Sequence, residues 1–178
     1  MVIDAIADDH LLSLLEWSPT IVVVAPAYSK VASWGIRVDA VTVDHHTHSD
    51  VVVEGTVHTG PARVIDVGDD LAESVLIYLR SIGQHALQIL VEDPLSHFHE
   101  WDAADFQVSL IDRHVKWSRI HSGHFEKWMP DHDILQVRAA GSLTVSGGEF
   151  TGDQIQVTHA GMVRLTSPSF FWIGERHR

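Results

Sequence analysis

Apolar residues are patterned differently in the two halves of this chain. In the first half they come as continuous runs separated by amphipathic stretches. Asp8 to Trp17 carries Leu11, Leu12, Leu14 and Leu15 at helical spacing, with Asp8 or Asp9 as cap and Ser18-Pro19 as stop. Thr20 to Ala25 is a β-branched run that predicts a strand buried on both faces, ended by Pro26. A short helix is expected over Ser29 to Trp34, with Gly35 in the left-handed conformation at its end. Val38 to Val43 predicts a second strand and Asp44 to Asp50 a loop. Val51 to Val53 reads as extended and Ala62 to Val67 as a third buried strand. Gly68-Asp69-Asp70 opens a helix over Leu71 to Ile82, closed by Gly83, with a stripe of Leu71, Val75, Leu76 and Leu79. Ala86 to Val91 completes the series as a fourth strand. Alternating strands and helices imply a parallel sheet with crossover helices.

Beyond Glu92-Asp93-Pro94 the texture changes. His97 to Phe106 has room for a short helix. Short alternating segments then follow at Val108 to Ile111, Val115 to Ile120, Ile134 to Val137, Gln154 to Thr158, Met162 to Leu165 and Phe170 to Ile173. Gly, Asp, Ser and Pro separate them, which predicts an all-β sandwich. The expected layout is an α/β domain with a parallel, Rossmann-like sheet over residues 1–104, then a β-sandwich domain over 105–178.

Composition narrows the function. The chain has 178 residues, 45% hydrophobic and 20% charged, with a formal net charge of -12. That balance argues against nucleic acid as partner, because phosphates are neutralised by basic surfaces. No apolar run reaches the roughly 18 residues that span a bilayer, so no membrane association is expected. The acidic N-terminus does not read as a secretory signal, which favours the cytoplasm. There is no cysteine, so disulfides, thiolate metal sites and a thiol nucleophile are excluded.

The chemistry-bearing residues cluster after the second strand. Asp44, His46 and His48 alternate, and Asp69 and Asp70 follow the third strand. In an open α/β sheet, ligands sit beyond the carboxyl ends of the strands. Carboxylates and imidazoles placed there suit a divalent cation. Asp69-Asp70 also stands where a helix is capped, and capping accounts for one of the pair. A second polar cluster, His97, His99, Glu100 and Asp102, reads as a polar joint between domains with Phe98 and Trp101 packed inward.

An ordered series of motifs resembles the thiamine pyrophosphokinase family. Val24 to Tyr28 (V-A-P-A-Y) stands where that family has A-D-G-G-A. Trp34 to Asp39 (W-G-I-R-V-D) is similar to its L-G-I turn and P-D strand. Val43 to Thr47 (V-D-H-H-T) resembles G-D-F-D-S, and Val67 to Leu79 resembles its acidic motif and following helix. Gly83 to Leu90 and Leu110 to Arg113 continue the order. The resemblance covers residues 20 to 91 most closely and the second half in texture.

It implies pyrophosphoryl transfer from ATP to thiamine, with ATP as co-substrate and a divalent metal, Mg or, given His46, Mn or Zn. Asp44, His46, Asp69 and Asp70 are the catalytic candidates, and Asp44, His46 and Asp69 the metal ligands. Trp128, Ser146 and Glu149 fall on the thiamine side. A homodimer through the sandwich is also implied, covering the Phe170 to Ile173 segment as an edge strand. Family carboxylates are replaced by Pro26, by His46 and, in the simplest register, by Leu71. The alternative is therefore a non-catalytic ligand-binding homologue. Val43 to His46 also resembles the signature of the DHH phosphoesterases, a second alternative whose other aspartate motifs are missing upstream.

Overall fold

A computed structural model describes residues 20–43, 62–68, 70–91, 93–101 and 105–176. The chain separates into two units, residues 1–106 and 107–178. The expected helix at Asp8 to Trp17, the loop at Asp44 to Asp50 and the extended Val51 to Val53 lie outside the described residues.

In the first unit, β1 (Val22–Val24), β2 (Ala40–Val43) and β3 (Arg63–Asp66) form a parallel sheet in that order. Val22 pairs with Ala40 and Val43 with Asp66. β2 is central and buried at all four positions, as a doubly covered strand must be. The Asp39 carboxylate accepts from the Ile21 N–H at 2.9 Å and fastens the amino ends of β1 and β2 together. Pro26 falls in a 3-10 turn, Ala25–Ala27, that ends β1 and leads into helix α1 (Tyr28–Ser33). Helix α2 (Leu71–Ser81) buries Ala72, Val75, Leu76 and Leu79 and leaves Ile77 exposed. Gly35 and Gly83 follow the two helices with φ of +70° and +73°, a conformation glycine adopts without steric cost.

Two strand expectations are corrected. Among the described residues β3 is an edge of its sheet, and Arg63 and Asp66 are exposed, so the strand expected to be buried over Ala62 to Val67 is buried only at Ile65. β4 (Ala86–Leu90) forms, but it is not a member of the parallel sheet. Its exposed Ala86 and Gln88 alternate with buried Leu87 and Ile89. That period of two marks a strand covered on one face. A single-turn helix α3 (Phe98–Trp101) follows the 3-10 turn Pro94–Ser96. Phe98 and Trp101 are buried, and His97 Nδ1 lies 3.0 Å from Glu100 Oε2.

The second unit is built from antiparallel strands. These are β5 (Gln107–Ile111), β6 (Val115–Ile120), β7 (His124–Met129), β8 (Ile134–Ala139), β9 (Thr144–Ser146), β10 (Gly148–Thr151), β11 (Gln154–Val157), β12 (Gly161–Thr166) and β13 (Phe171–Arg176). Within the unit one sheet runs β10-β11-β8-β13-β6-β5 and the other β7-β12-β9. Their facing residues make one core, which includes Leu135, Ile155, Phe171 and Ile173 from the first sheet and Met129, Val163 and Leu165 from the second. β9 and β10 belong to different sheets and are separated by Gly147 alone.

β13 overturns the edge-strand expectation for Phe170 to Ile173. It lies between β8 and β6, with Phe171, Trp172 and Ile173 all at most 2% exposed. Burial on both faces explains the unbroken apolar run. Three strands that the apolar pattern did not predict, β7, β9 and β10, complete the unit. Among the described residues, no helix is long and apolar enough to cross a membrane.

Candidate functional site

Of the residues expected to carry the chemistry of the first unit, the structure describes Asp70, which follows the carboxyl end of β3. Asp44, His46 and Asp69 lie outside the described residues. Asp70 is the N-cap of α2. Its Oδ1 accepts from the Glu73 N–H at 3.0 Å, and its carbonyl accepts from the Ser74 hydroxyl at 2.9 Å. One carboxylate oxygen is therefore committed to the helix. Asp66 ends β3 directly opposite Val43, and the Val67 N–H donates to the Val43 carbonyl at 2.8 Å. A second exposed carboxylate thus stands beside the end of β2, where sequence reasoning had assigned only a strand residue. Its signal was positional: an acidic residue on the last register position of a strand. Among the described residues, no three His, Asp or Glu side chains converge as a metal site.

In the second unit the three expected residues are divided between the sheets. Trp128 pairs with Met162 and Ser146 with Arg164. β12 lies between β7 and β9, and these rows are two residues apart, so Trp128 and Ser146 share one face of this sheet. That face is exposed: Trp128 is 60% and Met162 42% accessible. Glu149 lies on β10, an edge strand of the other sheet, opposite Gln156. On the Trp128 face, Arg164 Nη2 donates to Glu126 Oε1 at 3.1 Å and His124 approaches Glu126 at 3.7 Å. The Arg164 hydrogen bond is the main cause that holds the Glu126 carboxyl below its usual range.

Trp128 also borders a cleft of about 760 Å³ lined by Lys116, Lys127, Ile134, Glu175 and Arg176 among others. The register explains where it lies. Ile120 faces the core opposite Phe171, Ser118 opposite Ile173, and Lys116 opposite Glu175. On β7, Phe125 and Met129 face the same core, so Lys127 between them points inward too. The cleft is thus the end of the space between the two sheets, where inward positions change from apolar to charged. Lys127 reaches across to Glu175 in an ion pair that joins the sheets. Lys116, Lys127 and Glu175 were not candidates from the sequence, because their inward direction depends on register.

No protein-family model matches the sequence, and no curated protein matches it. Solved structures do resemble the fold. A thiamin pyrophosphokinase from Geobacillus thermodenitrificans has a TM-score of 0.70 at 11% identity, covering 99% of this chain and 96% of its own. A thiamine pyrophosphokinase from Bacillus subtilis has a TM-score of 0.64 at 9% identity, with 99% and 98% covered. A thiamin pyrophosphokinase from Candida albicans has a TM-score of 0.71 at 9% identity, with 100% and 88% covered. At such identity the likeness is one of fold. It lends no support to the phosphoesterase reading of Asp44-His45-His46.

Proposed function

We propose that this chain is a thiamine pyrophosphokinase-like protein that binds ATP through its first unit and thiamine through its second. The observation that carries the reading is the likeness of fold, which spans 99% to 100% of the chain against three thiamine pyrophosphokinases. In this reading residues 1–104 are a Rossmann-like, nucleotide-binding-like domain and 105–178 a sandwich that is thiamine-binding-like. The parallel order β1-β2-β3 and the core common to two antiparallel sheets support that layout. The protein would act in the cytoplasm as a homodimer. The exposed Trp128 and Met162 pair offers apolar surface for a second copy.

Asp44, His46 and Asp69 supply two carboxylates and an imidazole, a donor set that suits a divalent cation. When bound, the cation would neutralise charge on the transferring phosphates. The carboxyl ends of β2 and β3 would position the ATP phosphates, with Asp70 holding the start of α2 in place beside them. On the thiamine side, Trp128 presents a ring face that attracts a cationic ligand, and Ser146 and Glu149 carry polar groups. No protein nucleophile is required, since positioning and charge neutralisation supply most of the rate.

The second reading, a non-catalytic homologue, draws on Pro26 and His46 standing where the family carries carboxylates. Calorimetric titration with thiamine and with a nonhydrolysable ATP analogue, in Mg²⁺ and then Mn²⁺, separates the two when paired with an assay for AMP release. Binding with AMP release supports the kinase. Binding without it supports the homologue, and failure of both ligands to bind rejects both readings.

A further inference from the structure

We infer that the Glu126–Arg164 pair sets the charge preference of the outward face of the smaller sheet: Glu126 cancels the one arginine there and so lets Trp128 take an aromatic cation. The register defines this face. Phe125, Val163, Leu165 and Val145 belong to the core between the sheets. Their neighbours Glu126, Trp128, Met162, Arg164 and Ser146 therefore point away from it. At the outward positions of β7, β12 and β9, Glu126 is the one carboxylate and Arg164 the one lysine or arginine.

Arg164 stands in the path of the ligand. Glu126, Arg164 and Ser146 form one row across the three strands, and Trp128 and Met162 belong to the next outward row. With strands about 4.8 Å apart and a rise of about 3.3 Å per residue, Trp128 and Ser146 are roughly 12 Å apart on the diagonal. A ligand that touches both crosses β12 between Met162 and Arg164. An arginine alone at that point would repel a cation held on the Trp128 ring. Glu126 removes the repulsion, since its Oε1 accepts from Arg164 Nη2 at 3.1 Å.

An exposed ion pair of this kind adds little to stability in water, so its main consequence is for what the face can hold. The Arg164 hydrogen bond keeps the Glu126 carboxyl below its usual range, and Glu126 therefore stays ionised at neutral pH. The net charge of -12 draws cations at long range. The exposed ring of Trp128 attracts them at contact. Arg164 is the local exception to both, and Glu126 neutralises it. The path from Trp128 to Ser146 rests on the thiamine reading, whereas the charge preference holds for any aromatic cation on Trp128. His124 Nε2 lies 3.7 Å from the other Glu126 oxygen, so the preference is measured at pH 8, where free imidazole is neutral.

NMR titration of the full chain with N-methylquinolinium, neutral quinoline and thiamine tests it, read at the Trp128 indole N–H (the signal missing from Trp128→Leu). The expected result is that N-methylquinolinium shifts this signal and binds more tightly than quinoline. Glu126→Gln should weaken N-methylquinolinium about threefold to fivefold at low salt, the effect of one charge several ångströms away in water, and leave quinoline unchanged. Arg164→Gln should tighten N-methylquinolinium by a similar factor. The double variant should return to within about twofold of the unsubstituted protein, and 1 M salt should erase the differences between the single variants. If thiamine does not bind while N-methylquinolinium behaves in this way, the thiamine reading fails and the charge preference stands. An unmoved Trp128 signal at millimolar N-methylquinolinium overturns the inference. So does equal weakening of quinoline and N-methylquinolinium in Glu126→Gln, or a double variant as weak as Glu126→Gln, either of which marks a structural role for Glu126.

Discussion

Replacing Asp70 separates its role at the helix start from any role in chemistry. Its Oδ1 takes the Glu73 N–H at 3.0 Å, one of the four amides that an α-helix leaves without an internal partner. Asp70→Ala removes that acceptor and should cost about 1 kcal/mol, within a range of roughly 0.5 to 2. For a chain of this size that corresponds to a fall in Tm of roughly 2 to 4 °C. Asp70→Asn keeps an oxygen acceptor and loses only the interaction of the charge with the helix dipole, about 0.3 to 1 kcal/mol. Thermal unfolding gives the global cost, and amide exchange at Glu73 reports the bond itself. Glu73 should exchange faster in the alanine variant and stay protected in the asparagine variant. If AMP release occurs, loss of turnover in a stable Asp70→Asn protein assigns the charge to catalysis. Unaltered Glu73 exchange in Asp70→Ala, or an asparagine variant as unstable as the alanine one, would refute the capping argument.

Three further predictions concern the two units. Gly174→Ala should destabilise by about 1 to 3 kcal/mol. The added Cβ would lie 2.9 Å from Val115 Cγ1 and 3.0 Å from both Trp117 and Gln136 side chains; an unchanged Tm would show that these neighbours give way freely. Leu135→Ala, at a fully buried core position, should cost about 2 to 5 kcal/mol. Ile77→Ala, at a position 57% exposed, should stay within about 0.5 kcal/mol; comparable denaturant midpoints for the two would contradict the burial assigned to them. The Asp105 carboxyl is held below its usual range chiefly by a hydrogen bond from Arg80. Its small contribution to stability is present above the unfolded-state pKa and is lost as pH falls through the lower folded value. Arg80→Gln should raise the Asp105 pKa toward the usual aspartate value in an NMR carboxyl titration, and no movement would exclude Arg80 as the cause.

Helix α2 was legible because several local signals agree. Asp70 caps it, Val75, Leu76 and Leu79 share its buried stripe, and Gly83 ends it. β7 was not legible. In H-F-E-K-W-M the inward positions are Phe125, Lys127 and Met129, and the lysine breaks the apolar alternation that identifies a strand. The same lysine helps to line the cleft, so the feature that hid the strand is part of what makes the cleft charged. β13 was legible as a strand but misplaced at an edge, since a run of four apolar residues reports burial and not which neighbours supply it. For the candidate site, the sequence pointed to Asp70 and Trp128, whereas Asp66 and Lys116 became visible only through strand register.

The single-residue joint between β9 and β10 links the alignment of one sheet to that of the other. Gly147 holds φ of +87° there, and a Cβ on it would meet the Met162 carbonyl oxygen at 2.5 Å. β9 pairs with β12, and β10 pairs with β11. A one-residue slip of β9 would turn its side chains to the opposite face. With no slack at the joint, that slip would also drag β10 along β11. Neither sheet can be edited in length at this point without rewriting the other. Insertions during the divergence of such a sequence should therefore accumulate at open hairpin tips such as Gly152-Asp153 and be purged at Gly147.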